Sequence, residues 1–142
     1  LNWFRPILKA CGASFDDGSA CHLDLVQWAT APTWGKLRPA STRKQLLAED
    51  AAFLAEQLKN ERLRLLLVNG MSVIRELRRT LAPNLDELEP IIGYAHVDTR
   101  LFTGNVFDRV RVIGWSTNLQ SSFGVTTELR EELAKRVGEF AV

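Results

Sequence analysis

The densest group of hydrogen-bonding side chains in the chain is Trp115-Ser116-Thr117-Asn118-Leu119-Gln120-Ser121-Ser122. Its hydroxyls and amides are uncharged and supply both donors and acceptors. That inventory suits base edges, sugar hydroxyls or phosphate oxygens. Leu119 is the one aliphatic residue inside it, and an apolar tip in a polar loop is suited to act as a wedge in a base stack. The plainer alternative is a connecting loop whose serines cap a helix and whose leucine packs on the core. Asp24 is a second candidate, because a carboxylate in a buried strand needs a partner or costs several kcal/mol, roughly. Gln27 and Trp28 lie on the same segment, and Trp28 and Trp34 bracket Pro32 in a long loop where an aromatic could stack on a base or cover the core edge. Asn69 completes the set. Arg75, Arg78 and Arg79 form a basic helix face, suited to phosphates or simply to solvent.

Other chemistries are excluded by pattern. No GxGxxG or GxxxxGK[ST] phosphate loop, no GxSxG elbow and no acidic cluster of metal-ligand spacing is present. Two histidines and two cysteines, none in a CxxC, make a zinc site hard to assemble, so neither metal nor cofactor is expected. Cys11 and Cys21 read as reduced thiols of a cytoplasmic protein. The net charge of +1 gives no global attraction to nucleic acid, so such a contact would need a local patch. No run of eighteen apolar residues is present, so neither a membrane helix nor a membrane partner is expected. No signal peptide is recognised. The chain starts at Leu1 rather than Met, which marks it as a candidate fragment of a longer protein. The oligomeric state is open.

These residues must be held by a fold. At 142 residues, with 46% hydrophobic and 25% charged side chains, the chain is sized and composed as one globular domain spanning 1–142. Residues 1–12 read as a short helix stopped by Gly12, and 14–20 as a turn-rich loop. His22 to Ala29 alternates like a strand. Thr42 and Gln45 form a capping box ahead of an apolar stripe ending at Leu58. Leu63 to Val68 is the apolar run of a buried parallel strand. Asn69-Gly70 is a hairpin signal in isolation, but the helical periodicity of Met71 to Leu81 makes it a strand–turn–helix junction. Pro83 to Pro90 reads as a loop or short helical turn, His96 to Phe102 as a strand, Thr103-Gly104-Asn105 as a turn and Val106 to Gly114 as another strand. Thr126 or Thr127 caps the last helix. The alternation of strands and helices predicts an α/β, three-layer domain with a mostly parallel central sheet of about four strands flanked by helices. Ligands of such sheets bind beyond the C-terminal strand ends, which selects the loop after Trp28, the Asn69-Gly70 turn and the Trp115–Ser122 loop.

Read in order, these pieces resemble the uracil-DNA glycosylase superfamily. Leu23-Asp24-Leu25-Val26 followed by Ala31-Pro32 is similar to the family's apolar-Asn-apolar-apolar strand with its Pro-containing loop. Leu65-Leu66-Leu67-Val68-Asn69-Gly70 looks like its apolar strand ending in Gly before a helix. Ile113 to Ser122 occupies the place of its last, His-Pro-Ser-type loop. The chain departs from the family in three ways: Asp24 replaces the pyrimidine-reading Asn, the last motif lacks its His, and the water-activating motif has no counterpart. The resemblance implies a base-flipping scheme, with Asp24 at the base edge, Asn118 or Ser116 on a base carbonyl or phosphate, and Leu119 filling the stack. It implies DNA repair, DNA binding and a hydrolase if the domain is active, and nucleic-acid binding without catalysis if it is degenerate. The alternative is a non-catalytic α/β module for a nucleotide, small molecule or protein. No catalytic residue is assigned. Asp24, Gln27, Trp28, Asn69, Ser116, Asn118, Leu119, Gln120 and Ser121 are the candidate binding residues.

Overall fold

A computed structural model describes residues 2–23, 45, 55–93, 98–120 and 125–141. The expected strand from His22, the long loop and the capping box lie mostly or wholly outside them. The chain divides into two compact units, Leu1–Cys21 with Arg64–Val142, and His22–Leu63. In the second unit, residues 55–58 are helical and Leu58 is buried.

The first unit opens with a single 3-10 turn, Asn2–Phe4, and helix α1, Arg5–Ala10. Pro6 sits in the first turn of α1, where no intrahelical N–H is needed. Strand β1, Leu65–Asn69, leads through Gly70 into helix α2, Met71–Thr80. The strand–turn–helix expectation holds here. Gly70 has φ 100, a conformation that a side chain would strain. Then follow β2, Asp86–Ile91, β3, Thr99–Val106, β4, Val110–Trp115, and helix α3, Thr127–Ala141. Thr126 caps α3, its Oγ1 accepting the Leu129 N–H at 3.1 Å.

The sheet is α/β but mixed, with strand order β1-β4-β3-β2. Among the described residues, β1 and β4 pair in parallel, while β4–β3 and β3–β2 are antiparallel. The mostly parallel expectation is therefore corrected. A parallel neighbour needs a long crossover, and α2 does not lead into one. It leads into the meander β2–β3–β4, whose short turns force antiparallel neighbours. Two local readings change with it. Pro83 to Pro90 is not a loop: from Asp86 it forms the outer strand of the meander, where charged side chains and a proline are tolerated. Thr103-Gly104-Asn105 is not a turn but the middle of β3.

The real turn is Phe107-Asp108, with φ 55 and 56 and a 3.3 Å bond from the Arg109 N–H to the Val106 carbonyl. Both residues take the left-handed conformation that a type I′ hairpin demands and that Asn-Gly supplies with little strain. Phe107 is not part of the buried core, being 42% exposed. The double substitution Phe107→Asn, Asp108→Gly should therefore stabilise the protein by about 1 kcal/mol, a fraction of the roughly 1–2 kcal/mol per residue that this conformation costs an L-residue. Urea melts at unchanged m-value would read it.

Cross-strand register sets two faces. Val68, Gly114, Phe102 and Glu87 form one row, and Asn69, Trp115, Leu101 and Leu88 form the next. Adjacent rows point to opposite sides of the sheet. The first row meets α2: a Cβ on Gly114 would stand 3.2 Å from Ile74 Cγ1 and 3.4 Å from Val68 Cβ, so the glycine lets α2 lie close over the parallel pair. The second row faces the main core, where Leu101, Ile113 and Trp115 pack with Ile7 of α1, Leu129, Leu133 and Val137 of α3, and Leu119.

Candidate functional site

Asn69 ends β1 and Trp115 ends β4, side by side in a parallel pair. Their C-terminal ends are where an open α/β sheet leaves a crevice. The chain beyond Trp115 turns back over this end and is tied to it by one amide. Asn69 Oδ1 accepts the Trp115 indole N–H at 2.8 Å and the Leu119 backbone N–H at 2.9 Å. Asn69 Nδ2 donates to Asn118 Oδ1 at 2.9 Å, and that oxygen also accepts the Gln120 N–H at 3.0 Å. The Gly70 N–H donates to the Trp115 carbonyl at 2.9 Å.

The orientation of both amides follows from the donors. An indole N–H and a backbone N–H can only donate, so the Asn69 atom facing them is its oxygen. Its nitrogen then faces Asn118, which must present oxygen, and the Gln120 N–H demands the same. Asn118 is exposed. With its oxygen held inward by two donors, its Nδ2, carrying two N–H groups, is the part left outward.

The start of the loop is fixed from β3. The Ser116 N–H donates to the Arg100 carbonyl at 3.0 Å, and the Arg100 N–H donates to Ser116 Oγ at 2.8 Å. Thr99 Oγ1 and Thr117 Oγ1 are hydrogen-bonded at 2.6 Å, with Thr99 buried. Arg100 Nε donates to Glu87 Oε1 at 3.0 Å, and its Nη2 reaches the same oxygen. Those hydrogen bonds hold the Glu87 carboxyl below the usual carboxylate range, and the charge of Arg78 lowers it further. Arg100 and Arg78 lie over the buried Phe102 ring at 5.2 and 5.0 Å from its centroid.

Five of the nine sequence candidates are thus gathered at one strand end: Asn69, Ser116, Asn118, Leu119 and Gln120. Asp24, Gln27, Trp28 and Ser121 lie outside the described residues. The wedge role of Leu119 is corrected. Its side chain is 0% exposed and belongs to the core with Trp115, Leu129 and Leu133. Arg100 and the Thr99–Thr117 pair were missed; the signal for Arg100 was the lone cation of its strand, two residues before the Phe102 that pairs with the acidic Glu87. Among the described residues, no group of three or more His, Cys, Asp or Glu is placed to hold a metal, and no helix is long and apolar enough to cross a membrane. Comparison with protein-family models, curated proteins and solved structures finds no match.

Proposed function

We propose that this chain is a three-layer α/β domain of uracil-DNA glycosylase-like type that recognises a nucleobase at the C-terminal end of the β1–β4 pair, without supplying the catalytic base from the described part of that site. The observation that carries this reading is the fixed amide of Asn118. A pair of N–H donors held outward at a strand end suits the carbonyl edge of a pyrimidine, and the loop stands where the family resemblance puts a base-contacting motif. Residues 69–71 and 116–120 contain no carboxylate and no imidazole, which favours recognition over hydrolysis. Two unbridged thiols fit a cytoplasmic setting.

Asn118→Asp tests this, with the uncharged Asn118→Ala as the control for the added negative charge. The remaining carboxylate oxygen still accepts from Asn69 Nδ2 and the Gln120 N–H, so the inner bonds survive, while the outward donors become an acceptor. Affinity for uracil-containing single-stranded DNA, followed by fluorescence anisotropy, should fall about ten- to a hundredfold, the loss of a hydrogen bond worth about 1–3 kcal/mol when its partner is left unpaired. The thermal midpoint should barely move. Unchanged affinity would remove the base-recognition reading. Release of free uracil by the wild-type chain would overturn its non-catalytic part.

A further inference from the structure

Arg100 lies on the same strand end as Asn118. Its backbone is bonded in both directions to Ser116. Its Nη1 lies 3.9 Å from the sulfur of Met71, the residue after Gly70, and a Cβ on Gly70 would stand 3.9 Å from Asn118 Cβ. Ser116, Met71 and Arg100 are thus in contact, and Asn118 lies beside the buried Gly70 that precedes Met71. The guanidinium is held in place on two sides, by Glu87 on its Nε–Nη2 edge and by the Phe102 ring. Nη1 takes part in neither hydrogen bond, and a thioether is a weak acceptor. The group is half exposed, with 47% of its side-chain surface open.

The local charge is unbalanced. Arg78 and Arg100 share the same ring and the single carboxylate of Glu87. Arg78 spends one Nη2 hydrogen on the Leu85 carbonyl at 2.8 Å, which is neutral. A guanidinium keeps its charge at any physiological pH, so among the described contacts two guanidinium charges face the one carboxylate of Glu87. An oriented guanidinium with a spare nitrogen, next to neutral donors, is suited to a phosphate oxygen.

We infer that Arg100 is the phosphate-contacting residue of this strand end and that its ligand is the sugar–phosphate backbone of a single-stranded nucleic acid whose base meets Asn118. This rests on the base-recognition reading and adds the ligand class to it. The competing account is that Arg100 and Glu87 only tie β3 to β2 as a cross-strand ion pair. Exposed pairs of that kind contribute little to stability, and the two accounts differ in sign. If the pair only ties the two strands, neutralising either partner changes binding in the same direction or not at all. If Arg100 serves a phosphate, Glu87 competes with it.

The experiment uses the full chain, its R100Q and E87Q variants, and fluorescein-labelled uracil-containing single-stranded DNA titrated by anisotropy across a salt series. For R100Q, affinity falls and the slope of log K against log salt shrinks by about 0.7, the counterion release of one phosphate contact on a single strand. For E87Q, affinity rises severalfold. Inorganic phosphate competes with the oligonucleotide for the wild type and less well for R100Q. An unchanged salt slope in R100Q, or affinity changes of the same sign in R100Q and E87Q, overturns the phosphate assignment while leaving base recognition standing. Loss of affinity in N118A at an unchanged slope separates the two contributions. A wild-type chain that binds no oligonucleotide overturns both.

Discussion

Asn69→Ala should destabilise the protein by about 3 kcal/mol, because it orphans two buried N–H donors that cost about 1–3 kcal/mol each when unpaired. The donors are the indole of Trp115, which is 1% exposed, and the backbone of buried Leu119. A methyl group cannot accept from either, and the space left is shaped for an amide. The exposed partner gives the control. Asn118→Ala releases Asn69 Nδ2 and the Gln120 N–H, and both Asn118 and Gln120 lie at the surface, where water replaces the lost oxygen. It should cost less than about 1 kcal/mol, the net worth of an ordinary hydrogen bond. Urea unfolding of the two variants checks the contrast. Equal losses would mean that Asn69 does not organise the loop.

Leu119→Ala carries the second large effect. A fully buried leucine truncated to alanine costs about 2–5 kcal/mol, depending on how far the surroundings collapse. Leu119 packs beside Trp115, Leu129 and Leu133, all held on rigid elements, so little collapse is available and the upper half of that range is expected. A wedge would behave in the opposite way: its truncation would leave the thermal midpoint alone and weaken DNA binding. The two measurements on one variant separate the roles, and a stable L119A with impaired binding would overturn the buried assignment.

Much of this fold could be read from residues whose local signals agree with their tertiary role. Leu65 to Val68 is apolar without interruption, Met71 to Leu81 repeats at helical spacing, and Thr126 is followed by an acidic first turn. These became β1, α2 and the capped α3. The meander was misread because its signals conflict with its role. Gly104 looks like a turn residue, but it pairs with Val112 inside β3, where Leu85 lies so close that a Cβ would come 2.7 Å from its Cδ2. Phe107-Asp108 carries no turn signature, yet bends the chain with two left-handed residues. Glu87, Glu89 and Pro90 look like a loop, and only their position at the sheet's outer strand makes them strand residues. At the site, composition found the polar loop and Asn69. It could not find that Asn69 is the clamp, because its partners are 46 and 50 residues away in sequence. Nor could it tell an outward leucine from an inward one in a loop without periodicity.

The parallel pairing of β1 with β4 also bears on assembly. β2, β3 and β4 are neighbours in sequence and can zip together through short connections, at small loop-closure cost. β1 joins β4 only by closing the whole intervening chain, and the Asn69 amide can meet Trp115 and Leu119 only after that closure. The site therefore forms only with the longest-range pairing of the described sheet, and a chain with its meander folded but β1 undocked has no site at all. A molecule that binds there binds the docked form alone, so its affinity adds directly to the free energy that keeps β1 in the sheet. Ligand occupancy and strand docking are in this sense one equilibrium.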